Sequence, residues 1–243
     1  MYLDTGGGGG SDVQRTGSQS DAAGDMPTTP VLPLPLAPLA SLDSFTAPLP
    51  GDVHRLRQFE QRLHSLLNQL RTRPDSFVPY LEAFATYYDG LRVQVPGEPM
   101  YKTHEGTTAL QHAIAFLQSC PPTTGLIPSP GLDMACREHV ADIGTSGGIQ
   151  HQGSDGSDVR ARINRHGQCE SGCFVAENLG FGQTTEVRVI MDMIVNDGLP
   201  TRDKRAVLFS PRAKYVGVGF GPHSLYRSVY AIVFVEDYRD ACM

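Results

Sequence analysis

The apolar residues in the first half of this chain recur at helical spacing. The clearest stripe starts after Asp52, a residue type that favours helix N-caps, and ends near Arg73 and Pro74. Its apolar members are Leu56, Phe59, Leu63, Leu66, Leu67 and Leu70. Asp75 then predicts the cap of a second, short helix that reaches residue 84. Further helices are predicted at residues 105–118, 131–143, 159–163 and 185–196.

Strand patterns come later in the chain. Residues 174–181, 215–220 and 228–235 are rich in β-branched, aromatic and alternating apolar positions, and residues 221–223 (Gly-Pro-His) predict a turn. Helices that come first, followed by strands joined by turns, are typical of an α+β fold. We therefore predict helices packed on a small antiparallel sheet.

Composition divides the chain into three parts. Residues 1–50 are rich in Gly, Ser and Asp and then in Pro, which predicts a disordered leader. Residues 51–238 form the predicted domain, and residues 239–243 a short tail. The first 25 residues do not have the pattern of a secretory signal peptide.

Charge and hydropathy exclude two classes of function. The first 52 residues carry six Asp and one Arg, and thus most of the net charge of −6. The nearly neutral remainder lacks the clustered Lys and Arg that nucleic-acid binding requires. No apolar run approaches the roughly 20 residues of a transmembrane helix.

The five cysteines fit neither a zinc ribbon nor a redox pair by their spacing. Cys169 and Cys173 lie four residues apart in a loop that contains Gly. Two alternatives remain open for them: a small disulfide or two free thiols.

A series of short motifs, in order along the chain, resembles the SCP-like branch of the CAP superfamily. The motifs are residues 66–71 (Leu-Leu-Asn-Gln-Leu-Arg) with Pro74, residues 130–135 (Pro-Gly-Leu-Asp-Met-Ala) with His139 and Asp142, residues 151–157 (His-Gln-Gly-Ser-Asp-Gly-Ser) with Arg162, Ile163 and Gly167, residues 177–179 (Glu-Asn-Leu) with Phe181 and Gly182, residues 196–198 (Asn-Asp-Gly), Arg202 with Arg205, and residues 216–219 (Val-Gly-Val-Gly). Ala176 stands where the family usually has Gly. The match runs from about residue 56 to residue 234.

This resemblance implies an α-β-α sandwich with a central cleft. In many relatives the cleft holds two His and two acidic residues that can bind a divalent cation, often zinc. The relatives are mostly secreted, so an extracellular location is expected here. They are described as binders of sterols or lipids and as partners of other proteins, without an established common enzymatic activity.

Four residues of this chain correspond to the cleft of the family. His151 and Glu177 match its first His and first acid. They are the candidate ligands of a weak metal site, and the alternative is that they only form hydrogen bonds that brace the cleft. Asp197 is the candidate second acid, whereas Lys204 occupies the position of the second His. A charged Lys cannot ligate a metal, so we expect Lys204 to pair with Glu177 or Asp197. The alternative is that His223 replaces the missing ligand.

The resulting hypothesis is a non-enzymatic binding module for a lipid, a sterol or a protein partner. The alternative is a hydrolase that uses His151, Glu177 and a metal-bound water. His139 falls on the apolar face of its helix and is interpreted as a core histidine with its hydrogen bonds satisfied.

Overall fold

Helix α1 (Val53–Thr72) begins where the sequence predicts it, because the Asp52 carboxylate accepts a hydrogen bond from the Arg55 amide at 3.0 Å. The computed structural model describes residues 2–4 and 52–241. The predicted leader lies outside the described residues, apart from Tyr2–Asp4, which form strand β1. The last two residues of the predicted tail lie outside them as well.

The other helices follow the predicted order. They are α2 (Val78–Ala85), α3 (Thr107–Ser119), α4 (Pro130–Ser146), α5 (Val159–Ile163), α6 (Glu186–Val195) and α7 (Asp203–Leu208). The predicted Asp75 cap of α2 is wrong, because a 3-10 turn at Pro74–Phe77 runs directly into the helix. Helix α7 was not predicted. Within the described part of the chain, no helix is both long and apolar enough to cross a membrane.

The main sheet has five strands in the order β1-β7-β9-β8-β5, where β5 is Ile127–Pro128, β7 is Val175–Phe181, β8 is Tyr215–His223 and β9 is Arg227–Val235. Its pairings are antiparallel, except that β5 runs parallel to β8. Strand β8 continues through the predicted turn at residues 221–223, so the turn follows at residues 224–226. Short strands form two smaller sheets: β2 (Tyr88–Asp89), β3 (Arg92–Val93) and β4 (Tyr101–Lys102) pair together, as do β6 (Gly167–Gln168) and β10 (Arg239–Asp240).

The main sheet separates two hydrophobic cores. Along β9, Tyr230, Ile232 and Phe234 pack with helices α1, α2, α3 and α6. The alternate residues of the strand pack with α4 and α5 on the other face. This alternation follows from the two-residue period of a strand. The α+β prediction, with the sheet between helices, is confirmed.

Glycines let α4 pack directly on strand β8. Gly217, Gly219 and Gly221 face α4, whereas Val216 and Val218 face the opposite core. A Cβ atom on Gly219 would lie 2.6 Å from the backbone carbonyl carbon of Cys136 on α4. The alternation of Val and Gly therefore fits one face of β8 to a helix backbone.

Candidate functional site

Glu177 lies on the α4 face of strand β7 and is completely buried. Its Oε1 accepts a hydrogen bond from Nδ1 of His151 at 2.8 Å, and its Oε2 accepts one from the Arg162 guanidinium at 2.7 Å. Burial raises the pKa of Glu177, but the His151 hydrogen bond and the Arg162 charge outweigh it, so the pKa falls below the ordinary value of 4.5. The ionised carboxylate thus fixes the donor role on Nδ1 of His151.

Arg162 connects Glu177 to the loop that carries His151. The short helix α5 places it, because Asp158 caps the helix by accepting from the Ala161 amide at 2.7 Å. The same guanidinium donates to the carbonyl oxygens of His151, at 2.9 Å, and Ser157, at 3.1 Å. One buried cation therefore neutralises Glu177 and holds the loop.

His139 extends this cluster from helix α4. Its Nε2 lies 3.8 Å from Glu177 Oε1, and the side chain is fully buried. Neither ring nitrogen has a hydrogen-bond partner among the described residues. Its core position is confirmed, whereas the prediction that its hydrogen bonds are satisfied is wrong. Burial lowers its pKa below 6.5.

Lys204 does not pair with Glu177 or Asp197, so that prediction is wrong. Its Nζ donates to Asp192 Oδ2 at 2.7 Å, and the Tyr230 hydroxyl donates to the same oxygen at 2.6 Å. Asn178 is the residue after Glu177 on β7, so its side chain points to the opposite face of the sheet, where it donates to the Lys204 carbonyl oxygen at 3.2 Å. Lys204 and Glu177 therefore lie on opposite faces of the sheet and cannot pair.

Asp197 and His223 have backbone partners of their own. Asp197 accepts hydrogen bonds from the amides of His104, at 2.7 Å, and Glu105, at 2.9 Å. His223 Nε2 donates to the Gly148 carbonyl at 2.9 Å, and its Nδ1 accepts from amides of the β8–β9 turn. His223 therefore braces the turn, and the alternative that it replaces the missing ligand is wrong.

The Glu177 cluster does not fit a divalent cation. Both Glu177 oxygens already accept hydrogen bonds, one of them from a cation, and a metal would have to displace Arg162. Among the described residues there is no group of three or more His, Cys, Asp or Glu that could hold a metal ion. The cluster is an organic ion-pair network.

A cavity of about 580 Å³ lies on the other side of the sheet. Its walls come from α6, the β2–β4 sheet, the segment after β7 and the β8–β9 turn. Asp192, Asp197 and Lys204 line it, whereas His151 and Glu177 do not. The four predicted cleft residues are thus divided between two sites.

Comparison with known proteins gives matches in structure and none in sequence. No family model matches the chain, and no curated protein matches it in sequence. An outer surface protein from Borrelia burgdorferi is 15% identical, with a TM-score of 0.38 over 47% of this chain and 79% of that one. An extracellular protein containing an SCP domain, from Bacillus anthracis, is 14% identical, with a TM-score of 0.39 over 53% of this chain and 38% of that one.

Sequence reasoning missed Arg162, Asp192 and Tyr230 as members of these networks. Arg162 had a usable signal, since it shares the buried face of α5 with Val159 and Ile163. A guanidinium on a buried helix face needs a partner. Asp192 had a weaker signal, because it is flanked by apolar residues of α6.

Proposed function

We propose that the chain is a binding module and that its cavity takes a lipid-like anion, with an apolar body and a charged head group. The cavity volume lies within the range of about 300–1,000 Å³ that is usual for small-ligand sites. The observation that carries the proposal is the combination, in one cavity, of two unpaired cations with an apolar rim.

The unpaired cations are Lys102 on β4 and Arg227 at the start of β9. Both are exposed, line the cavity and have no ion pair within the described residues. The acidic residues of the same wall are already engaged: Glu98 by Arg188, Asp192 by Lys204, and Asp197 by backbone amides. A ligand anion therefore meets free positive charge and no free negative charge.

The rim supplies the apolar contact. Leu225 is 71% exposed, Tyr226 46% and Leu199 44%, and all three line the cavity.

The backbone of Arg227 adds support. Its φ is 72°, a conformation that costs a non-Gly residue roughly 1 kcal/mol or more. Asn adopts this region more easily than Arg. Arg227→Asn should therefore leave stability unchanged or raise it, while removing one of the two free cations.

Calorimetric titration with dodecanoate tests the proposal, with uncharged dodecanol and a neutral sterol as comparison ligands. We expect dodecanoate to bind, and Arg227→Asn and Lys102→Gln each to weaken it at least tenfold, because a charge-assisted hydrogen bond contributes about 1.5–3 kcal/mol. Lys214→Gln is the matched control, because Lys214 is exposed and lies immediately before β8, about 30 Å along the strand from the turn. Equal binding of dodecanol, or an equal loss in Lys214→Gln, contradicts an anion site.

The hydrolase alternative receives less support from the geometry. It needs a metal beside His151 and Glu177, where Arg162 lies instead. An extracellular location belongs to the same proposal, and the Cys169–Cys173 disulfide supports an oxidising compartment. If the apolar rim binds a protein partner instead, the chain should capture that protein and dodecanoate should not displace it.

A further inference from the structure

The segment between β6 and β7 is closed by the Cys169–Cys173 disulfide, and Arg160 of helix α5 lies against it. The guanidinium Nη1 is 3.4 Å from Cys169 Sγ and 3.9 Å from Cys173 Sγ. Its Nη2 donates to the Cys173 carbonyl oxygen at 2.8 Å. The cation is therefore anchored beside both sulfur atoms and nearer to that of Cys169.

We propose that this disulfide is a thiol–disulfide exchange site, attacked at Cys173. The two sulfurs differ in access, because Cys169 is only 6% exposed whereas Cys173 is partly exposed. They also differ as leaving groups. A thiolate leaves faster when its pKa is low, and a neighbouring guanidinium lowers a thiol pKa. Attack at the accessible Cys173 thus releases the sulfur nearest to Arg160.

The reaction needs a thiol reductant. A thiolate from a dithiol attacks Cys173 Sγ, forms a mixed disulfide and expels Cys169 as a thiolate beside Arg160. The second thiolate of the reagent then attacks the reagent's own sulfur, closes a cyclic disulfide and releases the Cys173 thiolate. Two electrons pass to the protein, and the two new thiolates take up the protons that the dithiol lost.

The small loop favours reduction. The two cysteines are four residues apart, and so short a loop restricts the unfolded chain less than a long one does. The other cysteines within residues 52–241 are free thiols: Cys120, which is partly exposed, and Cys136, which is fully buried. Within this range a reductant therefore meets a single disulfide, and only its Cys173 sulfur is accessible.

Reduction of the oxidised full chain by dithiothreitol at pH 7 tests the role of Arg160. The rate is followed by alkylation and peptide mapping by mass spectrometry. We expect Arg160→Gln to be reduced at least threefold more slowly, and Arg160→Lys, which keeps the charge, to react nearly as fast as the unmodified chain. Arg165→Gln is the control, because Arg165 is exposed and its guanidinium pairs with Asp155 at 2.6 Å.

The site of attack gives a second measurement on the unmodified chain. Glutathione should form its mixed disulfide on Cys173, and peptide mapping should locate it there. An adduct mainly on Cys169, equal reduction rates with and without the Arg160 charge, or two free thiols in air-oxidised protein would each overturn the proposal.

Discussion

Replacing Arg162 by Met should strongly destabilise the fold, because it isolates a buried negative charge. The Glu177 and Arg162 side chains are 1% and 3% exposed. Removing one partner of a buried ion pair typically costs about 3–5 kcal/mol. The carbonyl oxygens of His151 and Ser157 lose a donor as well. We therefore expect a loss near the upper end of that range, about 5 kcal/mol.

A double-mutant cycle separates the contribution of the Glu177–Arg162 ion pair from that of the other interactions that Arg162→Met removes. Glu177→Gln removes the charge that Arg162 neutralises, so the double variant should be less destabilised than the sum of the single ones, by about 2–3 kcal/mol. Lys204→Met is the matched control. Its ion pair with Asp192 is partly exposed, at 16% and 29%, and should contribute less than about 1 kcal/mol. The effects of Lys204→Met and Glu177→Gln on the free energy of unfolding should also be additive.

Urea unfolding followed by circular dichroism is the suitable assay, since the chain contains no Trp. The pKa of Glu177 is lower in the folded state, so its stabilising effect is complete above about pH 4.5 and is lost as the pH falls through the folded value. Glu177→Gln should therefore make the free energy of unfolding less dependent on pH in this acidic range. A larger coupling of Glu177 with Lys204 than with Arg162 would refute the proposed partner.

Three more predictions concern stability and use the same unfolding assay. Gly219→Ala should lower the free energy of unfolding by about 1–3 kcal/mol through overpacking against α4. Gly148→Ala should lower it far less, because the nearest neighbours of its Cβ would be atoms at the end of the flexible Gln150 side chain; equal losses would contradict the close approach. Arg71→Met should cost at least about 2 kcal/mol, since it removes the donor of four backbone carbonyls, those of Thr124, Leu208, Ser210 and Ala213; a neutral result would show that water replaces it. Burial lowers the pKa of His139, so stability is complete above pH 6.5 and falls as the pH decreases below it. His139→Leu should reduce that fall, and an unchanged slope between pH 7.5 and 5.5 would contradict the assignment.

The sequence alone determined the elements whose pattern is local. The stripe that defines α1, the Asp52 cap and the β-branched run of β9 all depend on neighbours within one or two turns or on strand alternation. The ordered motifs were likewise enough to predict an α+β fold with the sheet between helices. Helix α7 was not predicted, because the six residues of Asp203–Leu208 are too few to show a helical period of apolar residues.

The tertiary structure alone decided which cation neutralises Glu177. Lys204 was the partner expected from the sequence, and Arg162 was missed, because sequence separation does not report side-chain direction across a sheet. Glu177 and Asn178 are adjacent, yet the strand period of two turns them to opposite faces, toward α5 and α7 respectively. The face of the sheet on which each helix packs is decided only when the sheet assembles. Local sequence patterns therefore could not predict the ion pairs or the cavity.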